Sequence, residues 1–120
     1  MMTTKQVADR LVALCRQGDI LKAGQELYSD DIISNEPANS QMPIKIAKGK
    51  KAVAEKGKAF ADSIEVSHGQ KISDPIVGGS FFSIAWYLDV TFKGMGRMQL
   101  DEVCVYEVRD GKIVWEQFYF

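Results

Sequence analysis

The stretch Arg97–Phe120, RMQLDEVCVYEVRDGKIVWEQFYF, decides the fold of this chain. It reads as two long strands joined by a tight turn at Arg109–Lys112, because Asp-Gly between runs of β-branched and aromatic residues is a strong hairpin signal. On the first strand the even-numbered side chains from Met98 to Val108 are apolar or aromatic, apart from Glu102. Since side chains alternate between the two faces of a strand, we expect this even-numbered set, with Glu102 in it, to face the core.

A carboxylate on a core face is informative because its burial costs several kcal/mol unless the group is paired, hydrogen-bonded or hydrated. Glu102 therefore marks a cavity, a satisfied polar network or the rim of the core. A rim position, or satisfaction by backbone amides, explains the pattern as well as a cavity does.

The second strand, from Lys112 to Phe120, has two faces that polarity does not distinguish. One face carries Val114, Glu116, Phe118 and Phe120, and the other carries Ile113, Trp115, Gln117 and Tyr119. A sheet that is apolar on both faces needs cover on both, and helices can cover one. We therefore predict a homodimer through the outer sheet face. That face would carry Val103, Val105, Trp115 and Tyr119. The alternative is a free face with scattered exposed apolar residues, which is common.

The rest of the chain reads as helices followed by strands. The predicted helices are Thr3–Gln17, Ile20 to about Tyr28 with Asp19 as its cap, and Lys50–Ser63. The predicted strands before the hairpin begin at Ile32 and run to Glu36, then span Glu65–His68, Gln70–Val77 and Phe81–Lys93. This order predicts a single α+β domain over residues 1–120, with three N-terminal helices packed against a curved, mainly antiparallel sheet.

Two segments of this plan carry further information. Phe81–Lys93 alternates cleanly, so its even-numbered residues from Phe82 to Phe92 are predicted to face the core. Pro37–Lys48 is a long loop with two prolines, and a loop of this length is often a lid or a binding loop, although an ordinary connection fits equally well.

Composition excludes several classes of function. The chain of 120 residues has 15 basic and 16 acidic residues and a net charge of −1, which gives no electrostatic footprint for nucleic acid. The locally basic stretch Lys45–Lys58 is interpreted as a solvated helix face. The only histidine, His68, is expected at a surface turn, so neither a metal site nor a cofactor is predicted.

The two cysteines, Cys15 and Cys104, are expected to be reduced and buried. No apolar run approaches the roughly 18 residues of a membrane span, so no membrane association is predicted. These features together favour a cytoplasmic protein.

Several landmarks, in this order and spacing, resemble the nuclear transport factor 2-like superfamily, nearest to SnoaL-like domains, and resemble ketosteroid isomerase at the same places. The landmarks are Gly18-Asp19, Leu27–Asp31 running to Glu36-Pro37, Gly49–Val53 and Val105–Ile113. The resemblance covers essentially the whole chain. It implies a cone-shaped fold in which a bent sheet wraps a long helix and encloses an apolar pocket, usually in a dimer. It does not imply one reaction, because the superfamily includes isomerases, polyketide cyclases, dehydratases and non-catalytic modules.

The resemblance to the isomerase carries over to three positions. Glu36, directly before Pro37, matches the general-base carboxylate, and Cys104 matches the buried protonated acid within a residue or two. Leu11 matches the tyrosine that donates to the oxyanion. The base is therefore present but both oxyanion donors are missing, and steroid-type isomerisation is not expected, since such donors usually supply the largest catalytic term.

These observations support an enzyme hypothesis in which Glu36 is a general base and Glu102, or alternatively Glu116, a second acid, with Tyr106 as a donor to a developing oxyanion. The reaction would be an isomerisation, cyclisation or dehydration of an apolar carbonyl-containing substrate, without a cofactor. The predicted pocket residues are Trp86, Leu88, Cys104, Tyr106, Glu116, Phe118 and Phe120. The alternatives are a non-catalytic domain that binds a small apolar ligand, and a dimerisation module with a vestigial pocket.

Overall fold

Three helices pack against one seven-stranded sheet in the computed structural model, which describes all 120 residues. The helices are α1 (Thr4–Arg16), α2 (Ile20–Leu27) and α3 (Lys50–Ser63). The strands are β1 (Tyr28–Asn35), β2 (Ile46–Lys48), β3 (Ile64–Ile72), β4 (Ile76–Gly78), β5 (Phe81–Phe92), β6 (Gly96–Arg109) and β7 (Lys112–Tyr119). The predicted α+β class is confirmed.

The sheet has the order β2-β1-β7-β6-β5-β3, and β4 pairs with β5 outside this path. Every strand pair is antiparallel except β1 with β7. This parallel pair joins an early part of the chain to its last strand, so side chains of β1 stand beside those of β7. The predicted hairpin is the antiparallel pair β6–β7, and it lies at the centre of the sheet between β1 and β5. On its other side β6 pairs with β5 without interruption, from Phe81 opposite Glu107 to Phe92 opposite Gly96.

The core lies between the helices and the inner face of the sheet. The even-numbered side chains of β5 are all buried, at 0 to 8 % exposure, as the alternation predicts. On β6 the even-numbered residues Cys104, Tyr106 and Val108 are buried as well. Tyr106 stacks on Phe82 with ring centroids 4.7 Å apart, which ties β5 and β6 together inside the core.

A β-bulge changes the phase of β7, which explains why polarity could not distinguish its two faces. Val108 pairs with Ile113 but Glu107 pairs with Trp115, so Val114 is an extra residue. Ile113 is therefore completely buried although it is odd-numbered, and the even-numbered phase holds only from Glu116 onward. The strict alternation expected for this strand is wrong on its first half.

The second helix and the first strand differ from the prediction. Tyr28 begins β1 rather than ending α2, and the helix buries Ala23 and Leu27 while Ile20 stays 42 % exposed. Asp19 stands at the N-cap position, but its side chain makes no capping hydrogen bond. By contrast, α1 begins with a capping box, in which Thr3 and Gln6 each accept a hydrogen bond from the other's backbone N–H.

The strands after α3 also differ in their bounds. The predicted break before Gln70 is absent, because β3 runs through it from Ile64 to Ile72 with a local irregularity between Ser67 and Gly69. His68 is exposed as expected, but it lies within β3, where its Nε2 is 2.8 Å from Thr91 Oγ1, and not at a turn. The predicted loop Pro37–Lys48 contains the short strand β2, paired with β1. None of the helices is both long and apolar enough to cross a bilayer.

Replacing Phe82 by alanine should destabilise the fold strongly, because the ring is 2 % exposed and stacked on Tyr106. We expect a loss of roughly 3–5 kcal/mol in the free energy of unfolding, measured by urea denaturation. Phe81→Ala is the matched control, since its ring is 46 % exposed on the opposite face of the same strand. Equal losses in the two variants would contradict the assignment of the even-numbered face to the core.

Candidate functional site

Glu36, the predicted general base, follows directly after β1 and points into the fold. Its side chain is 9 % exposed and forms an ion pair with Lys56, whose Nζ lies 3.0 Å from Glu36 Oε1. The Glu36 backbone N–H donates to the carbonyl of Lys45 at 2.7 Å, which fixes the start of the following loop. The site therefore contains a cation beside the predicted base.

Lys56 corrects the interpretation of the basic stretch as a solvated helix face. Its side chain on α3 is only 4 % exposed. Residues three and four apart share one face of a helix, and Lys56 lies between Val53 and Phe60 on the apolar face. The ammonium also lies over the ring of Phe118, 5.3 Å from its centroid, where the ring's electron density attracts a cation.

A hydrogen-bonded chain continues from Lys56 on α3 through Ser34 on β1 to Glu116 on β7. Lys56 Nζ donates to Ser34 Oγ at 2.8 Å, and Ser34 Oγ donates to Glu116 Oε2 at 2.6 Å. The hydroxyl of Tyr28 donates to the other oxygen of Glu116. An ammonium can only donate, so the hydroxyl hydrogen of Ser34 is left for Glu116, and both of these bonds run from Lys56 toward Glu116.

The pairing of β1 with β7 creates this chain, because it places Ser34 directly beside Glu116. Both residues are buried, at 0 and 3 % exposure. Burial raises the pKa of the Glu116 carboxyl, while the hydrogen bonds from Ser34 and Tyr28 and the charge of Lys56 act in the opposite direction. Both oxygens of Glu116 have a donor, so this carboxyl is a satisfied group inside the core.

Glu102 has a different environment. It faces inward on β6, opposite Trp86 on β5, and is half-buried. The thiol of Cys104, which donates to Glu102 Oε1 at 3.6 Å, is its one side-chain hydrogen-bond partner. Burial raises the pKa of Glu102 to about 7, and the negative charges of Glu36 and Glu116 add to the shift. Glu102 can therefore gain or lose a proton near neutral pH.

Most of the predicted pocket residues lie on the inner face. Trp86, Leu88, Cys104 and Tyr106 are buried and Phe118 is half-buried. The indole N–H of Trp86 donates to Gln70 Oε1 at 3.2 Å, so the ring offers its apolar surface rather than a free donor.

The other aligned or predicted positions lie elsewhere. Phe120 follows the last strand and is 45 % exposed, so it lies outside the buried interior that the sequence assigned to it. Leu11, which matches the isomerase's tyrosine, is a core residue at 2 % exposure.

The sequence reading missed three residues of this site: Tyr28, Ser34 and Lys56. The parallel pairing of β1 with β7 brings Tyr28 and Ser34 to Glu116, and local periodicity contains no signal for a pairing between strands so distant in sequence. The sequence did contain a signal for the burial of Lys56. Its spacing of three from Val53 and four from Phe60 places it on the helix face already assigned to the core. No group of three or more His, Cys, Asp or Glu side chains is arranged to hold a metal ion.

The raised pKa of Glu102 predicts how stability changes with pH. Between the ordinary value of 4.5 and about 7, the native state keeps a proton that the unfolded chain releases. The free energy of unfolding should therefore fall as pH rises through this window, by on the order of 3 kcal/mol from this group.

Glu102→Gln should remove that part of the decline, so that the variant matches the wild type near pH 4.5 and exceeds it in stability at pH 8. Urea denaturation across this range measures the effect. Glu65→Gln, at an exposed glutamate on β3, is the control and should follow the wild-type curve. A Glu102→Gln curve parallel to the wild type would contradict the shifted pKa.

Comparison with known proteins agrees with this architecture. The family model described as SnoaL-like domain matches residues 2–120. A crystal structure from Mesorhizobium loti, of a protein provisionally described as a SnoaL-like polyketide cyclase and also as a carbohydrate phosphatase, is 35 % identical, with a TM-score of 0.92. The match covers 99 % of this chain and 100 % of that one. A search of curated proteins gives no match.

More distant structures share the fold alone. A protein from Catenulispora acidiphila, described as having a ketosteroid isomerase-like fold and bound to trimethylamine, is 17 % identical, with a TM-score of 0.75 over 98 % of this chain and 87 % of that one. A nuclear transport factor 2-like protein from Burkholderia thailandensis is 16 % identical, with a TM-score of 0.83 over 99 % and 91 %. The chain belongs to the SnoaL-like domain family and has the nuclear transport factor 2-like fold.

Proposed function

We propose that this protein binds a small apolar carbonyl compound inside the cone and performs acid/base catalysis on it, as an isomerisation, cyclisation or dehydration. The observation that carries the proposal is Glu102. Its carboxyl faces inward beside Trp86, has only a thiol as its side-chain partner, and has a pKa of about 7. A group that is half protonated at the working pH is the most effective proton donor and acceptor.

We assign proton transfer to Glu102 and an electrostatic role to Glu36. Glu36 is the position that the isomerase resemblance marks as the base, but its carboxylate is held by the buried ammonium of Lys56. A base engaged in such a pair would have to give up this contact to take a proton. Glu102 has no cation to give up, and the negative charge of Glu36 raises its affinity for a proton.

In the proposed step the Glu102 carboxylate removes a proton from the carbon next to the substrate's carbonyl, and the electron pair of that C–H bond forms an enolate. The same carboxyl group then returns the proton at another position. Leu11 and Cys104 occupy the matching oxyanion positions, and neither is a strong donor. The substrate class that fits best is therefore a 1,3-dicarbonyl compound, whose enolate needs less stabilisation by the protein. The polyketide cyclase description of the Mesorhizobium loti relative agrees with this class.

Exchange of α-protons with deuterium from the solvent, followed by NMR on a panel of apolar monoketones and 1,3-dicarbonyl compounds, tests the proposal. We expect the protein to accelerate exchange of the dicarbonyl compounds, with a pH midpoint near 7. Glu102→Gln should reduce the rate by at least about 100-fold, the usual contribution of general acid/base catalysis. Glu65→Gln should leave it unchanged. Exchange that is equally fast in Glu102→Gln would contradict the assignment.

The second candidate is a domain that binds its ligand without catalysis. The observation that favours it is the set of inward carboxyl groups, Glu36, Glu102 and Glu116, which could orient the polar or cationic end of an apolar ligand. The trimethylamine in the Catenulispora acidiphila structure is an example of a cationic ligand on this fold. A small molecule retained in native mass spectrometry, with no exchange on any panel compound, would favour this function over catalysis.

We also propose that the protein is a homodimer through its outer sheet face. Two cross-strand neighbours on that face, Val103 and Tyr119, are 46 and 52 % exposed, while Val105 and Trp115 are half-buried. The helices cover the other face, so a second copy is the simplest cover for this apolar surface.

A reducing cytoplasmic setting for the protein is also part of the proposal. It is supported by the two cysteines, Cys15 and Cys104, which are both free and buried.

Light scattering at tens of micromolar protein should give the mass of a dimer. Val103→Asp should shift the protein to a monomer, because it places a charge within the proposed apolar interface. The matched control is Val77→Asp on β4, at 39 % exposure. A wild-type monomer, or two variants that behave alike, would contradict the proposed interface.

A further inference from the structure

The feature that the proposed function leaves without a role is the buried lysine of α3. Lys56 has charged or polar partners on two sides, with Ser34 Oγ at 2.8 Å and Glu36 Oε1 at 3.0 Å. The side chains of Lys56 and Glu36 are 4 and 9 % exposed, so water contributes little to their solvation. Burying such a pair is costly, and a hydrophobic residue would usually serve stability as well. A role in the chemistry of the site would account for the burial of this pair.

The charges around Glu102 suggest that role. The negative charges of Glu36, at the end of β1, and of Glu116, on β7, raise the pKa of Glu102. The Cys104 thiol bonds to Glu102 from its own strand, and β5 places the uncharged Trp86 opposite it. The site thus has three carboxyl groups and one ammonium. Two carboxylates that face each other without a cation share one proton, and the two groups then titrate as a pair.

The contacts of the Lys56 ammonium make the three carboxyl groups inequivalent. Lys56 touches Glu36 directly and reaches Glu116 through Ser34, whereas the only hydrogen bond to the Glu102 side chain comes from Cys104. An ion pair favours the charged form of the carboxyl group that it contains. The carboxyl group that keeps a proton at neutral pH is therefore the one without a cation as partner, Glu102.

We propose that Lys56 is a positioning residue that decides which carboxyl group of the site carries the exchangeable proton, by holding Glu36 in a buried ion pair and leaving the proton to Glu102. This inference rests on the proposed function, in which Glu102 transfers the proton. It gives α3 a part in the chemistry without any contact to substrate.

A carboxyl NMR titration of the ligand-free protein, with 13C-labelled glutamate, tests the proposal. In the wild type we expect one inward carboxyl resonance to titrate in a single step near pH 7, and Glu102→Gln identifies it by its loss. In Lys56→Met we expect the resonances of both Glu36 and Glu102 to move together in two steps, because the two groups then share the proton.

Two controls separate this role from a structural one. Lys56→Arg keeps the cation and should keep the single step. Lys58→Met removes a lysine two residues away on the same helix, whose pair with Asp62 is exposed, and should leave the titration unchanged. A single step at the wild-type midpoint in folded Lys56→Met would overturn the proposal.

A further pair of variants keeps the test decisive if Lys56→Met does not fold. Glu36→Gln should lower the midpoint of Glu102, because it removes a negative neighbour. The double variant Glu36→Gln with Lys56→Met leaves no unpaired charge where the ion pair stood, and Glu102 should titrate in a single step there, because Glu36 can no longer share the proton. An unchanged midpoint in Glu36→Gln, or two steps in the double variant, would overturn the proposal. Because no substrate is present, failure here is distinct from failure of the exchange assay.

Discussion

The contact between Lys56 and Glu36 is the constraint on which the rest of the site depends. A buried ammonium is tolerated only where carboxylates and hydroxyls replace its water, and here these groups come from β1 and, through Ser34, from β7. Removing one partner of such a pair costs roughly 3–5 kcal/mol in proteins, because the other charge remains buried. The pair therefore holds α3 over the parallel strands, and the ammonium sets the direction of the two hydrogen bonds that run through Ser34 to Glu116.

Two carboxyl groups on the inner face illustrate how surroundings divide roles between identical side chains. Glu116 is enclosed and has a donor for each oxygen, so it serves as the closed end of a hydrogen-bonded chain. Glu102 is half-buried, has a thiol for a partner and faces other negative charges, so it keeps its proton to about pH 7. Pairs of titratable groups whose environments differ in this way are the usual source of acid and base roles.

The sequence could predict the features that depend on neighbouring residues, but not those that depend on residues far apart in the chain. Alternation along β5 and β6 is local, and it correctly predicted the core face and the inward direction of Glu102. The bulge at Val114 interrupts that alternation on β7, so the sequence did not reveal that Ile113 faces the core. The bond between Ser34 and Glu116 joins residues 82 positions apart through a parallel pairing, which has no local signature.

Lys56 was misread for a different reason. Lysine is almost never buried without a partner, so a lysine-rich helix is normally assigned to solvent, and the partner Glu36 lies on another element. Its position between Val53 and Phe60 argued for the opposite assignment. When the charge of a residue indicates solvent and its helical spacing indicates the core, a buried charge at a functional site is one explanation that fits both.

The most direct test of this account is a neutron crystal structure of the deuterated protein at about pH 6, where exchangeable hydrogens are seen rather than inferred. The account predicts a deuteron on the Glu102 carboxyl, none on Glu36, and three on the nitrogen of Lys56. A deuteron on Glu36 with an ionised Glu102 would contradict it.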